Sequence, residues 1–227
     1  MYKHFFKRFF DFWISLIALI CISPILVIVT IWLHFANKGA GAFFFQERPG
    51  KDAKIFKVIK FKTMTDERGL DGELLPDAQR LTKVGKFVRS TSIDELPQLI
   101  NILNGTMSII GPRPVAEDQF DMFRYGKWNE AAKVPVGLSG PAALYDYIYG
   151  DQITDEKEYM EKVYPTRREL EYTYVQKAGV FYDLKMIVYT VICILYALAG
   201  KECTWILNEL KADAAASANE NPNENEK

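Results

Sequence analysis

Residues 12–35 read FWISLIALICISPILVIVTIWLHF, 24 positions with no acid, lysine or arginine. As a straight helix the stretch is about 36 Å long, against about 30 Å for the hydrocarbon core of a bilayer. A secretory leader is the competing reading, and Ala40-Gly41-Ala42 has the small residues of a cleavage site. The stretch is much longer than the roughly 7–15 apolar residues of a leader, which favours a retained membrane helix.

Its middle bears on whether the helix crosses. Ser23 and Pro24 sit there. Pro24 has no N–H, and its ring crowds the carbonyl of Ile20. The Ser23 hydroxyl can bond back to the Leu19 carbonyl and favour a bend. Two halves of about 18 Å each suit one leaflet better than two. Charge agrees: Lys3, Lys7 and Arg8 precede the stretch, and Lys38, Arg48, Lys51, Lys54 and Lys57 follow it. Basic flanks favour the cytoplasmic side, and a helix that enters, bends at Ser23-Pro24 and returns puts both there. The alternative, a spanning helix with an external domain, leaves one basic flank outside, although prolines do occur in spanning helices.

The chain around this stretch has 227 residues, 49% hydrophobic and 25% charged, which excludes both a bundle of spanning helices and a disordered chain. The net charge of −1 hides an acidic end: residues 208–227 carry five acids and two bases. The remaining body is only slightly basic, a poor balance for nucleic-acid binding. Cys21, Cys193 and Cys203 have no zinc or disulfide spacing and fit a reducing, cytosol-facing compartment. His4 and His34 flank the apolar stretch, so neither a Ser-His-Asp site nor a histidine-rich metal site is at hand. No Walker A motif and no Asp-x-Asp occurs. Chemistry falls to carboxylates, lysines and arginines.

Residues 54–63, KIFKVIKFKT, read as a strand with Phe56, Val58, Lys60 and Lys62 on one face. Residues 66–77 read as a loop. Leu96, Leu99, Ile100 and Leu103 predict a helix over 94–104, ended by Gly105. Gly111-Pro112-Arg113-Pro114 is a rigid turn. Residues 117–133 read as helical, 135–150 as loop-rich with Tyr145, Tyr147 and Tyr149, and 155–175 as a charged helix. The apolar run 186–199 is short for a span and fits an interfacial or buried helix. From Ala212 onward the Ala, Asn and Glu content predicts disorder.

Three Asp-Glu pairs occur. Asp155-Glu156 reads as a solvated helix face and Asp66-Glu67 as loop. Asp94-Glu95 differs, because Pro97 fits a first helical turn and so places the pair at a helix N-terminus. Ser92-x-x-Glu95 also has capping-box spacing, so a structural cap is an equal reading. The functional reading is that the free N–H groups and dipole of that terminus favour phosphate and keep Asp94 ionised and nucleophilic. Lys60 and Lys62 fit phosphate ligands, but an alternating lysine edge also guards strands against aggregation. Arg89 is close in sequence, and Arg113 offers a rigidly held fork for phosphate.

The series of motifs resembles the small monotopic phosphoglycosyl transferases, bacterial sugar transferases that start glycoconjugate assembly on polyprenyl phosphate. In order these are Ser23-Pro24, Gln46-Glu47-Arg48-Pro49-Gly50, Lys60-Phe61-Lys62-Thr63-Met64, residues 89–99 (RSTSIDELPQL), residues 107–114 (MSIIGPRP) and Asp183-Leu184-Lys185. The resemblance spans roughly residues 2–207. It implies an α+β, predominantly helical fold with a re-entrant membrane helix (1–36), interfacial amphipathic helices, a small β-hairpin and a catalytic domain (37–207) seated on the membrane, before an acidic tail (208–227). It implies the bacterial inner membrane, with the active site facing the cytoplasm, and leaves a homo-oligomer open.

The implied reaction is ping-pong. Asp94 attacks the β-phosphate of a UDP-sugar, UMP leaves, and polyprenyl phosphate takes the phosphosugar from the enzyme, with Mg2+ required; Asp94 and Glu95 are its candidate ligands, and Glu95 serves metal binding, positioning or proton handling. The resemblance implies Lys60, Lys62, Arg89 and Arg113 as phosphate ligands and Asp183 as a further member of the site. Lys62 stands where the family usually has arginine, and Gly150 is followed by Asp151 rather than by the usual arginine. The competing class is a non-catalytic module holding anionic lipid through Lys54, Lys57, Lys60 and Lys62. Two carboxylates at a helix start serve no purpose there.

Overall fold

The computed structural model describes residues 2–153 and 155–220. A short π-helical turn, Tyr2–Phe6, leads into α1 (Lys7–Ala36), followed by an antiparallel hairpin of β1 (Phe43–Pro49) and β2 (Ile55–Phe61). Then come α2 (Asp77–Arg80), α3 (Lys83–Ser90), a 3-10 turn at Ile93–Glu95, α4 (Gln98–Asn104) and β3 (Ser108–Ile110). α5 (Phe120–Phe123) and a 3-10 stretch, Gly126–Lys133, precede β4 (Gly137–Ser139), which pairs in parallel with β3. Five helices close the chain: α6 (Pro141–Ile148), α7 (Glu156–Lys162), α8 (Tyr164–Lys177), α9 (Val180–Leu198) and α10 (Thr204–Glu220). The expected α+β, mostly helical protein with a small hairpin is what folds.

α1 continues through Pro24 as one helix rather than dividing into two. Pro24 cannot donate to the carbonyl of Ile20. The Ser23 hydroxyl donates to that same carbonyl at 2.8 Å, so the open acceptor is satisfied from one residue away. The expected partner was the Leu19 carbonyl; the one used is the one Pro24 leaves bare.

One stripe of α1 packs on the body along its whole length. Lys7, Asp11, Ser15, Val29 and Leu33 are buried, and Ala18, Ile22 and Leu26 are partly so. Their spacing of three and four residues is that of a single helix face. Near the N-terminal end, Arg8 donates to the carbonyls of Ile102 and Leu103, and Asp11 accepts from the Ser108 hydroxyl at 2.7 Å and the Ile109 N–H at 3.1 Å. Near the other end, Val29 and Leu33 cluster with Ala42, Phe61 and Val88. Asn37 closes the helix by donating to the carbonyls of Gly41 and Lys62 at 2.8 and 2.6 Å.

The remaining faces of α1 are apolar and exposed, with Phe9, Trp13, Ile17, Ile20, Ile28, Ile31 and Phe35 outermost. α9 repeats the arrangement: Asp183, Met186 and Cys193 face inward, while Phe181, Leu184, Val188, Val191, Leu195 and Leu198 are exposed. Both helices are long and apolar enough to cross a membrane. Exposed apolar area of this extent marks a surface that contacts lipid or another protein.

Four expectations change. Residues 135–150 are not a loop: Pro141 starts α6, where its missing N–H costs nothing. The glycines there serve close approach. A Cβ on Gly137 would lie 2.1 Å from the Gly111 nitrogen, and one on Gly140 would lie 2.3 Å from the Gly111 oxygen. Residues 117–133 form short turns instead of one helix, because Gly126 takes a left-handed φ of 52° and Lys127 and Trp128 turn inward to Glu169. Residues 155–175 form two helices, α7 and α8, rather than one; Asp155 and Glu156 are exposed as expected, but Arg167, Glu169 and Glu171 on α8 are buried.

The tail is the fourth. α10 runs to Glu220, with Ile206, Leu210, Ala214 and Ser217 buried. Their spacing of three or four gives a narrow face that packs mainly on α8. Alanine, read as a sign of low hydrophobicity, is the best helix former and lets two helices approach closely. Residues 221–227, also expected to be disordered, lie outside the described residues.

Arg124 and Glu171 form a fully buried ion pair between the segment after α5 and α8. Removing one partner strands the other charge in the interior. Glu171→Ala is expected to cost about 3–5 kcal/mol, read as a large fall in the thermal midpoint of the detergent-purified protein. Glu156→Ala, on exposed α7, should leave the midpoint in place.

Candidate active site

Packing brings α3 and the Ile93–Glu95 turn to the end of β2. Thr82 caps α3 by accepting from the Gly85 N–H at 2.9 Å, and a Cβ on Gly85 would overlap the Thr63 carbonyl oxygen at 1.9 Å. α3 therefore lies directly on the strand end, and Arg89 Nε donates to Thr63 Oγ1 at 2.8 Å. Ser92 then takes a left-handed φ of 54°, which turns the chain into Ile93–Glu95. Its side chain caps nothing, so the capping box is not formed. Glu95 is free for another partner, and Lys60 Nζ on β2 donates to it at 2.7 Å.

The two carboxylates have unlike environments. Burial, then the charge of Glu95, push Asp94 up to about 6, and Lys60 and Arg89 only partly offset them. Burial also acts on Glu95, but Lys60, by charge and hydrogen bond, and Arg113 hold it below the usual carboxylate range. The helix start was expected to keep Asp94 ionised by itself. Burial beside a second carboxylate outweighs that local dipole and leaves Asp94 titrating just below neutrality. Such a split gives one permanent anion and one tunable group, the pattern of carboxylates with separate roles.

Glu95 and Arg113 stand where two cavities meet. One, of about 140 Å3, is polar and lined by Arg48, Lys60, Arg113 and Arg167 with Gln46 and Gln98. Burial, then the nearby charge of Arg113, with Arg167 adding to it, depress the Arg48 pKa, and Asp118 only partly offsets them. The other, of about 190 Å3, is an apolar groove between Leu96, Ile109, Leu144 and the α9 residues Ile187, Val191 and Ile194. It reaches α9, whose outer face is the exposed apolar one. A phosphate with a hydrocarbon chain matches this pair of cavities.

Backbone pairing makes Arg113 rigid. Gly111 donates to the Ser139 carbonyl at 2.9 Å, and Gly137 to the Pro112 carbonyl at 2.7 Å. Buried Asp146 on α6 then lies 3.6 Å from Arg113 Nε and 3.2 Å from Arg167 Nε, and accepts from Tyr159 at 3.0 Å.

Of the residues expected at the site, Lys60, Arg89 and Arg113 gather around Asp94 and Glu95. Lys62 does not. β2 ends at Phe61, the strand alternation lapses, and Lys62 pairs with Asp66 at 2.5 Å. Asp183 is elsewhere, buried with Lys7 at 2.7 Å, Tyr2 at 2.6 Å and Tyr174 at 3.2 Å, where it ties the N-terminal turn to α9. Ser23 and Pro24 lie within α1. The four lysines 54, 57, 60 and 62 form no common basic face, since Lys57 lies 3.9 Å from Glu47 and two others have the partners given. Arg48, Arg167 and Asp146 were missed. Arg48 belongs to the Gln46–Gly50 motif, and Arg167 and Asp146 reach the site only through tertiary packing.

A family model described as bacterial sugar transferase matches residues 2–197. An uncharacterized sugar transferase of Bacillus subtilis, EpsL, is 39% identical over 185 residues, covering 82% of this chain and 85% of that protein. A UDP-glucose:undecaprenyl-phosphate glucose-1-phosphate transferase of Klebsiella pneumoniae is 40% identical over 190 residues, and one of the same name from Escherichia coli is 35% identical over 189. Each covers 82% of this chain but 39% of the relative, so the chain spans about two fifths of their length. With the motif series, the hairpin and the carboxylate pair all inside the matched residues, the chain belongs to the bacterial sugar transferase family.

Proposed function

We propose that this chain transfers a sugar 1-phosphate from a UDP-sugar to polyprenyl phosphate, giving polyprenyl-diphosphate-sugar and UMP, as the first membrane step of making a glycoconjugate such as an exopolysaccharide. One observation carries the reading: adjacent carboxylates of unlike proton affinity, of which Glu95 lines both a cation-rich polar cavity and an apolar groove. The names of the Klebsiella and Escherichia relatives supply the chemical class of donor and acceptor.

In this reading an Asp94 carboxylate oxygen forms a bond to the donor's β-phosphorus as the bridging P–O bond breaks, and UMP departs with that electron pair. An oxygen of polyprenyl phosphate then bonds to the same phosphorus, and Asp94 leaves as carboxylate. Both steps bring anions together, so fixed cations at the reacting centre do most of the stabilising. Lys60, Arg89 and Arg113 serve there, with Arg48 and Arg167 completing the cluster.

Mg2+ fits as a cofactor shared with the substrate. Among the described residues no group of three or more His, Cys, Asp or Glu side chains gathers into a cage. Asp94 and Glu95 are two carboxylates crowded enough for one to raise the other's pKa. Mg2+ commonly takes one or two carboxylates and completes its shell with phosphate oxygens and water. Held by Asp94 and Glu95, it would neutralise phosphate charge.

The same reading seats α1 as a re-entrant helix, with the active site on the cytoplasmic side of the inner membrane. Support comes from its two ends. Arg8 and Asp11 at one and Leu33 and Asn37 at the other are held by a single folded body. A helix crossing the bilayer would carry one end away from that body.

Three kinds of experiment test this reading. With Mg2+ and a panel of UDP-sugars but no acceptor, the purified protein should release UMP and gain a phosphosugar mass on Asp94 with one sugar. Asp94→Asn should show neither, with a rate loss of about 10³-fold or more; release of UMP at the normal rate would overturn the mechanism. Because ionised Asp94 is the attacking form, kcat/KM for the donor should rise with pH through about 6. Glu95→Gln removes a like charge, so the acidic limb should move to lower pH whatever the rate loss. Cysteines introduced at positions 3 and 38 should both be labelled from the cytoplasmic side, and labelling of only one from that side would exclude re-entry.

A further inference from the structure

A third cavity shares Tyr147 and Cys193 with the apolar groove and has Arg89 in its wall. It is bounded by α3, the end of α6, the end of α9 and the turn into α10. Its volume is about 650 Å3, within the range of small-molecule sites and several times larger than either cavity described above. Lys86, Arg89 and Lys201 stand around it with Glu202, and Tyr147 and Gln152 line its wall.

The cations are placed by structure. Lys86 and Arg89 are one turn apart on α3. Arg89 spends its Nε on Thr63, which leaves the rest of its fork for the cavity, and its charge already acts on Asp94. Lys201 is set by the closure of α9. Gly200 takes a left-handed φ of 68°, its N–H donates to the Ala197 carbonyl at 3.0 Å, and the Lys201 N–H donates back to the Tyr196 carbonyl at 2.8 Å. That closed end fixes the backbone from which Lys201 extends.

Size separates the substrates. The polar cavity of about 140 Å3 is the smallest of the three, and the groove of about 190 Å3 is apolar. The large cavity has room for a base and ribose, cations for phosphate, and Tyr147 and Gln152 for a planar polar ring. It is also open enough to let a leaving nucleotide depart.

We propose that this cavity receives the nucleoside monophosphate half of the donor, with Lys86 and Lys201 joining Arg89 on its phosphate. The assignment rests on the UDP-sugar reading above and adds two substrate-binding residues to it. Lys201 lies beyond residues 2–197, so it is a contribution of this chain outside the family match.

The test uses the full chain in nanodiscs with the UDP-sugar that the wild type turns over. Lys86→Ala and Lys201→Ala should each raise the donor KM and the inhibition constant of UMP about five- to tenfold, with the effect growing at low salt. The KM for polyprenyl phosphate should not move, and Lys201→Arg should retain most of the donor affinity. An unchanged donor KM and UMP inhibition in the double variant, with the wild type active, would overturn the assignment and leave the proposed reaction standing. Phospholipid headgroups share the phosphate chemistry, so binding to vesicles with and without anionic lipid is measured in parallel. Lost binding to anionic vesicles with donor KM unchanged would make the cavity a headgroup site and overturn the proposal. A wild type that neither turns over nor binds any UDP-sugar removes the reaction and this assignment together.

Discussion

Arg8 reaches from the first turn of α1 to the last carbonyls of α4, and much of the molecule hangs on that contact. A cation at a helix C-terminus satisfies orphan acceptors and meets the negative end of the dipole. Gly105 makes room for it: its left-handed φ of 83° closes α4, and a Cβ there would sit 3.3 Å from the guanidinium. The opposite end of α4 begins just after Asp94 and Glu95. The apolar helix α1 and the Asp94-Glu95 pair are thus joined through one seven-residue helix, held at one end by Arg8. Asp11, two turns into the interior face of α1 at most, adds a second tie to β3, which leads directly to Arg113.

The second organising theme is buried charge. Asp146 holds Arg113 and Arg167, Arg167 lies 3.8 Å from Glu171, and Glu171 pairs with Arg124. A chain of this kind is costly to desolvate and contributes little net stability by itself. Its value here is geometric. It ties the Arg113 side chain to three separate elements, adding to the backbone pairing that already holds its turn. Arg168 on the neighbouring position is held differently, stacked 3.5 Å from the Trp128 ring centroid.

What could be read from the chain follows from the range of the interactions involved. The hairpin strand, α1 and the charged stretch before α9 announce themselves through short-period patterns, and the carboxylate pair through its motif neighbourhood. The close approach of Gly111, Gly137 and Gly140 looks the same in sequence as loop glycines, because only a partner backbone 26 or more residues away distinguishes the two. Lys62 turns to Asp66 because strand alternation stops at Phe61, the last paired position of β2. Asp183 was assigned to chemistry by resemblance, while Lys7 and Tyr2, more than 170 positions earlier, show what holds it. The inward face of α10 is narrow and passes from Ile206 and Leu210 to Ala214 and Ser217, so past Leu210 it is too weakly apolar to stand out from a polar tail.

The attachment of α1 along its entire inner stripe has a mechanical consequence. A free membrane helix adjusts to a thinner or thicker bilayer by tilting. In the proposed seating α1 cannot tilt alone, since its angle to the body is set at both ends. A change in bilayer thickness must then move the whole molecule, raising or lowering Asp94 relative to the headgroup plane where a lipid-borne phosphate waits. Bilayer thickness becomes a variable that the distance between nucleophile and acceptor inherits directly.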